Sequence, residues 1–376
     1  MRILLVTHFY PSHGGGVENV AAQLARCMVA QGHEIVWCAS DADAPPTLPG
    51  VHTVPMRSFQ VVERLVGFPY PLWSPSALAQ LAHWLRQADA VHVHDSIYVG
   101  SLFAAWMARR REMPWIVTQH IGHKPMPLVL RQVLSLAYRV GTRVVLRGAR
   151  GVACISPAVR RYFLADAGPL GRLHYVPNGV DTEIFRPSLK GLHAARRALG
   201  FAADRPLMLF VGRFVSVKRL AIVRKMAVLR PDWQWCVIGQ GPDEPLVHGL
   251  PNVQVLHPLP QRSLAAYYAA ADLLVLPSAS EGFPLVVQEA MACGLPACIT
   301  AHVAAGSEMP AALWLELPER TQDIALAGVQ VIDRWWTDAA DSRQAQRDAC
   351  AAYARLNWRW DRAAQVHLQW LCTEAA

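Results

Sequence analysis

The chain has 376 residues, 53% hydrophobic and 17% charged, which excludes a disordered protein and suits two domains of roughly 150–200 residues each. The formal charge of +8 is lopsided: residues 1–175 hold 17 Lys and Arg against nine Asp and Glu, while the rest of the chain holds 19 of each. This predicts two domains and an anionic partner for the first. No apolar run reaches the roughly 18 residues of a membrane span, and eight scattered cysteines without a C-x-x-C pair argue against a disulfide framework or zinc site and for a reduced, cytoplasmic compartment.

The first half opens on RILLV (2–6). Tyr10, Pro11 and a glycine run follow it without a small-residue cleavage site, so it reads as a buried strand, not a signal peptide. EIVWCAS (34–40), AVHVH (90–94), WIVTQH (115–120) and GVACIS (151–156) continue the series as buried parallel strands. Helical periodicity lies between several of them, as in the stretch that ends at Gly32, a C′ glycine. In HFYPSHGGGVENV (8–20) three glycines stand between a strand and a helix, where backbone amides can approach an anion or simply form a flexible turn. Asn19 excludes the dinucleotide fingerprint, and no Gly-Lys-Ser/Thr follows to make a Walker A loop. His94 and His120 fall at strand carboxyl ends, where a structural or a site role is open; no metal is expected, with only Asp95 beside them.

Residues 128–150 place Arg139, Arg143 and Arg147 four apart, and RLVGFPYPLW (64–73) adds aromatics. Two readings stand: an anionic membrane face, or an amphipathic helix packed on the sheet. No RNA- or DNA-reading element is present, so nucleic acid is not expected as a partner.

A Pro/Asn/Gly-rich seam, YVPNGVDTEIFRP (175–187), precedes a second series: LMLFVGR (207–213), WQWCVIG (233–239), NVQVLHP (252–258), DLLVLPS (272–278) and PACIT (296–300). The expected domains are 1–180, joined by a closing helix over 358–376, and 181–357, both Rossmann-like doubly wound α/β sheets facing each other across a cleft. Ligands of such sheets bind at the strand carboxyl ends. Arg213 and Lys218 follow one strand end and suit a diphosphate. In SEGFPLVVQEAMACG (280–294) Glu281 lies in a loop and Glu289 inside a helix that starts near Pro284 and is capped by Gly294. Two carboxyls about 5–10 Å apart would suit glycoside hydrolysis. That leaves Arg213, Lys218 and the glycine loop without a task, so the glutamates are read as holding hydroxyls of a ligand.

SEGFPLVVQEAMACGLP resembles the E-x7-E signature of retaining GT-B glycosyltransferases, specifically the large family 4 (glycosyl transferases group 1). FVGRF…K, GQGP (239–242), VPNGVDTEIFRP and HGGGVE resemble other elements of that family, in the right order across most of residues 1–300. The resemblance implies a GT-B fold and a retaining, metal-independent transfer of a hexosyl group from a UDP- or GDP-sugar, with no cofactor beyond that co-substrate. It implies that Glu289 binds the ribose hydroxyls and that Glu281, with the amides of Gly282, Phe283 and Leu285 beside Pro284, grips the sugar. Arg213 and Lys218, next to Gly212, match the pair that neutralises the diphosphate; Gly15 and Gly16 match the loop closing over it, and Gly241 lies in the second glycine loop. His120 matches a histidine near the transferred sugar, and His257 and Leu259 fall where relatives contact the base. The basic first half, read as a membrane face, makes the expected acceptor a lipid-linked, lipopolysaccharide or polysaccharide-precursor hydroxyl reached from the cytoplasmic side of a membrane. Two departures stand out: Lys218-Arg219 where relatives often carry Lys-Gly, and Ala304-Ala305 ahead of Glu308 where they carry Gly-Gly.

Overall fold

Apolar runs too short for helices set the sheets. The computed structural model describes residues 1–66, 69–120, 142–167, 172–189, 191–279, 281–304, 306 and 308–372. The chain divides into two compact units, Met1–Asn178 with Trp360–Ala376, and Gly179–Arg359.

In the first unit β1 (Arg2–Val6), β2 (Glu34–Ser40), β3 (Val51–Met56), β4 (Ala90–His94), β5 (Trp115–Gln119), β6 (Gly151–Cys154) and β7 (Leu173–Tyr175) form a parallel sheet in the order β3-β2-β1-β4-β5-β6-β7. The inner strands are buried on both faces, as parallel strands covered by helices must be. Order reverses at β1/β4, where Val6 pairs with Cys38 on one side and Val93 on the other; this switch point is where α/β sheets open a crevice at their carboxyl ends. α1 (Gly16–Ala30) follows β1 and ends as expected at Gly32. The amide of Gly32 reaches the carbonyl of Val29, that of His33 reaches Met28, and Gly32 is left-handed (φ 83°). α2 (Val99–Arg110) follows β4.

The second unit repeats the plan with β8 (Leu207–Val211), β9 (Gln234–Ile238), β10 (Val253–Leu256), β11 (Leu273–Leu276), β12 (Ala297–Thr300) and β13 (Trp314–Leu317), ordered β10-β9-β8-β11-β12-β13. α3 (Leu192–Ala198) is tied to this sheet by a buried ion pair, Arg196 Nη2 to Asp272 Oδ1 at 2.8 Å. Asp272 also accepts the Leu207 amide at 2.7 Å, and Arg196 donates to the carbonyls of Ala270 and Arg205, so neither charge is left unsolvated. α4 (Gln261–Ala270) and α5 (Leu285–Ala292) flank β11 in sequence.

The expected closing helix begins two residues late. Trp358 is buried in the core of the second unit, and α6 (Trp360–Cys372) packs on the first. Trp370 of α6 lies so close to Gly151 that a Cβ there would come within 2.2 Å of its ring. Strands missed from sequence in the two large sheets, β3, β7 and β13, are all edge strands. β3 and β13 alternate exposed and buried residues instead of forming apolar runs, and β3 carries Pro55, which only an edge accepts.

Candidate functional site

Each unit gathers polar side chains at the carboxyl ends of its strands. In the first, β1 runs into His8, whose Nε2 lies 3.0 Å from Glu18 Oε1; both side chains are buried. Glu18 is the third residue of α1, and its carboxylate folds back against Gly15, where a Cβ would sit 2.0 Å from Oε2. Only glycine therefore admits this arrangement. The helix start that the glycine loop was expected to offer an anion already lies against the chain's own carboxylate, whereas the position of a Cβ on Gly16 is open space. Burial raises the Glu18 pKa, but neighbouring His8 outweighs it and the net shift is downward, so Glu18 is a carboxylate at neutral pH.

His120 is held from two sides. Its amide donates to Asp95 Oδ1 at 2.8 Å, and its Nε2 shares a hydrogen bond of 2.8 Å with His94 Nδ1. Asp95 adopts a left-handed backbone (φ 60°), uncommon for a non-glycine residue and stabilised here by that bond. Beside it, His367 Nδ1 donates to the Ala363 carbonyl at 2.7 Å. Its Nε2 must then accept from the Thr118 hydroxyl (2.9 Å), which in turn accepts from His92 Nε2 (2.8 Å). Burial pushes His92 and His94 well below the usual histidine range, His120 to about 3 and His367 to about 4. All four are neutral at pH 7, able to hydrogen-bond a hydroxyl but unsuited to supply a strong base. Buried His8 Nδ1, His94 Nε2 and Glu18 Oε2 have no hydrogen-bond partner among the described residues, leaving capacity that the fold itself does not use.

In the second unit, Gly212 follows β8, Arg213 is exposed, and Lys218 closes a 3-10 turn, Ser216–Lys218. The Ala279 amide donates to Val217 O at 2.9 Å, which draws the loop after β11 onto this turn. The result is a direct ion pair between Lys218 Nζ and Glu281 Oε1, a contact that sequence spacing did not predict. No carboxylate among the described residues pairs with Arg213. Gly241 takes φ 147°, and a Cβ there would meet the Phe214 carbonyl oxygen at 2.4 Å, so the loop over 239–242 packs backbone to backbone against the Gly212–Phe214 segment of the same unit.

α5 begins at Leu285 with Pro284 as its N-cap, one residue later than expected, because Pro284 has the extended ψ of 126°. Phe283 is buried edge-on to Trp358, which anchors the loop next to Gly282. The helix closes at Gly294, where the amides of Gly294 and Leu295 return to Met291 and Ala290. Glu289, inside α5, accepts a hydrogen bond from buried Tyr268 of α4 at 2.9 Å. Burial raises its carboxyl to about 7, partly countered by the Tyr268 hydroxyl. His257 is exposed and Leu259 half-buried in the loop after β10.

The structure therefore assembles two groups: Gly15, Gly16 and His120 with His8, Glu18, Asp95 and His94 in one unit, and Lys218 with Glu281, and Glu289 with Tyr268, in the other. Sequence reading missed His8, Glu18, His367 and Tyr268. His8 stands two residues past the end of β1, a position that could have flagged it; Tyr268 and His367 carry no local signal. At the departure Lys218-Arg219, Arg219 takes a left-handed φ of 53° and pairs with Glu319 at 2.7 Å, so the position where relatives often carry glycine keeps a glycine-like backbone. Ala304 ends a short helix, Ala305 lies outside the described residues, and Glu308 is left-handed (φ 53°).

Two expectations are corrected. Residues 64–73 do not present their aromatics: Trp73 is buried over Gly100, Tyr70 is half-buried and donates to the Ile97 carbonyl, and Phe68 lies outside the described residues. Arg139 also lies outside them, and Arg143 sits in a π-helical turn, Thr142–Leu146, not in an α-helical stripe. No described helix is long and apolar enough to cross a membrane.

Comparison with known proteins places this arrangement. The model of Glycosyltransferase Family 4 matches residues 14–184, and that of Glycosyl transferases group 1 matches residues 193–309. The chain is 30% identical to D-inositol 3-phosphate glycosyltransferase of Thermomonospora curvata over 75% of this chain and 74% of that one. It is 28% identical to GDP-mannose-dependent alpha-mannosyltransferase of Mycolicibacterium smegmatis, covering 79% and 78%. Anabaena Alr3699/HepE in complex with UDP-glucose superposes with a TM-score of 0.75 at 17% identity, covering 98% of each chain.

Proposed function

Because the chain belongs to glycosyltransferase family 4 and has the paired α/β units of the GT-B fold, we propose that it transfers a hexosyl group, with retention and without a required metal, from a UDP- or GDP-sugar. The acceptor is a hydroxyl of a lipid-linked, lipopolysaccharide or polysaccharide-precursor saccharide, met at the cytoplasmic face of a membrane. The observation that carries this reading is the Lys218–Glu281 pair in the loops past the carboxyl ends of β8 and β11, with Glu289 inside the helix that follows. Lys218 is held next to Glu281, and Glu289 accepts from one hydroxyl among the described residues, that of Tyr268.

Glu289 takes the ribose hydroxyls in addition to Tyr268, and Glu281 with the amides at the start of α5 takes the sugar. Lys218 turns from Glu281 towards the diphosphate and, with Arg213, offsets the charge that develops as the bond from the sugar's anomeric carbon to the phosphate oxygen breaks. The acceptor oxygen bonds to that carbon on the same face, and its proton passes to the leaving diphosphate. The neutral histidines around His120 are suited to orient hydroxyls, not to remove the proton.

Relatives named for D-inositol 3-phosphate favour a second acceptor class, a small phosphorylated polyol. A thermal-shift panel of UDP- and GDP-sugars, followed by NMR of the product's anomeric configuration, tests the proposal. Stabilisation by one donor series and a product that keeps the donor configuration are expected. No stabilisation by any nucleotide sugar, or an inverted product, refutes it.

A further inference from the structure

The positive charge of the first unit is concentrated, and the fold gives it a shape. From residue 113 to 165 the sequence holds eight Lys and Arg and no Asp or Glu. Within this stretch Arg143 and Arg147 join Arg109, from the last turn of α2, around a cavity of about 450 Å³ walled by Trp115, Val144 and Gly148. All three arginines are exposed, and none pairs with a carboxylate among the described residues. Three like charges sharing one hollow repel, and no acid lines it; Glu112, three residues after Arg109, is not among the lining residues.

The hollow is built, not incidental. Trp115 Nε1 donates to the Val145 carbonyl at 2.9 Å, which pins the π-helical turn carrying Arg143. The same indole lies over Gly148, where a Cβ would meet its ring at 2.2 Å, so only glycine lets the chain pass directly after Arg147. Val145 and Leu146 are buried beneath, and the π-helical turn packs against α2. A π-helical turn held in place by a buried tryptophan is an unusual local geometry, of the kind found at functional positions. Trp115 begins β5 and His120 follows its far end, roughly 16 Å away at the rise of a strand. The pocket is therefore remote from the carboxyl-end group described above.

We propose that this pocket binds a phosphate ester through the guanidinium groups of Arg109, Arg143 and Arg147. Guanidinium forks match phosphate oxygens in paired hydrogen bonds, and the pocket is large enough for a phosphorylated headgroup while lacking any acid that would repel it. The ester comes either from an anionic phospholipid or from a soluble phosphorylated molecule. The inference does not depend on the transfer reaction, because none of its residues belongs to the donor group.

The test uses the full chain and two glutamine variants, Arg109→Gln/Arg143→Gln/Arg147→Gln and, as an equal-charge control, Arg26→Gln/Arg57→Gln/Arg86→Gln at exposed positions of the same unit. Calorimetry with inorganic phosphate and flotation with phosphatidylcholine vesicles, with and without phosphatidylglycerol, are run on each. Loss of binding by about tenfold or more in the pocket variant, with the control near wild type, is expected. Loss for vesicles identifies a lipid headgroup, and loss for phosphate alone a soluble ester. A lysine version of the pocket variant, which keeps charge but not the fork, should fall between. Equal loss in both glutamine variants, or no binding of either probe to the wild-type chain, overturns the proposal. Nucleotide-sugar stabilisation measured in parallel keeps this outcome separate from that of the transferase reading.

Discussion

Replacing Glu289 by Gln reports directly on the donor site. Its carboxyl is raised from 4.5 to about 7 by burial, with one hydroxyl donor, Tyr268, opposing the shift. At about 1.36 kcal/mol per pH unit this is a penalty of about 3 kcal/mol on the ionised form, trimmed to about 2 because part of the side chain meets solvent. The penalty is absent below pH 4.5, where the carboxyl is protonated folded and unfolded alike. It grows as pH rises and is complete above about 7. Glu289→Gln should thus stabilise the second unit by about 2 kcal/mol at pH 8 and hardly at all at pH 4.5, measured by urea denaturation. If a ribose diol adds donors to the carboxylate, nucleotide binding favours the ionised form. Wild-type affinity should then rise about tenfold from pH 6 to 8, with proton release visible in calorimetry across buffers of different ionisation heat. The variant should bind more weakly and lose that difference. Equal pH profiles for the two proteins refute the assignment of Glu289 to the ribose.

The buried histidines give the first unit the opposite pH response. His120 and His367 titrate near 3 and 4 when folded but near 6.5 when unfolded, so stability is full above about 6.5 and falls with acid. At pH 5 the two together cost about 4 kcal/mol, and a lower unfolding midpoint of this unit at pH 5 than at pH 7.5 is expected. Asp95→Ala removes the acceptor of the His120 amide; a loss of about 1–3 kcal/mol and slower transfer with donor binding unchanged are expected from denaturation and kinetics. Arg196→Met strands Asp272 beneath α3 and should cost the second unit about 3–5 kcal/mol, with the first unit's transition unmoved in a two-step denaturation curve.

Residue order alone determined the two parallel sheets, since RILLV, WIVTQ, LMLFV and their companions are too short for helices and too apolar for edges. It also determined which charged residues stand past a strand end, and the glycine stops at Gly32 and Gly294, because those signals lie within a few residues of each other. The edge strand VHTVPM was illegible for the converse reason: its half-exposed alternation and Pro55 mimic a loop. What only the tertiary structure decided were the partners: Lys218 on Glu281 across 63 residues, Tyr268 on Glu289, Glu18 folded onto Gly15, and His367 of the last helix on Thr118 across 249. No periodicity encodes such pairings, because they depend on how loops and helices pack against one another once the sheets have formed. The charge state of each group then follows from how much water that packing removes.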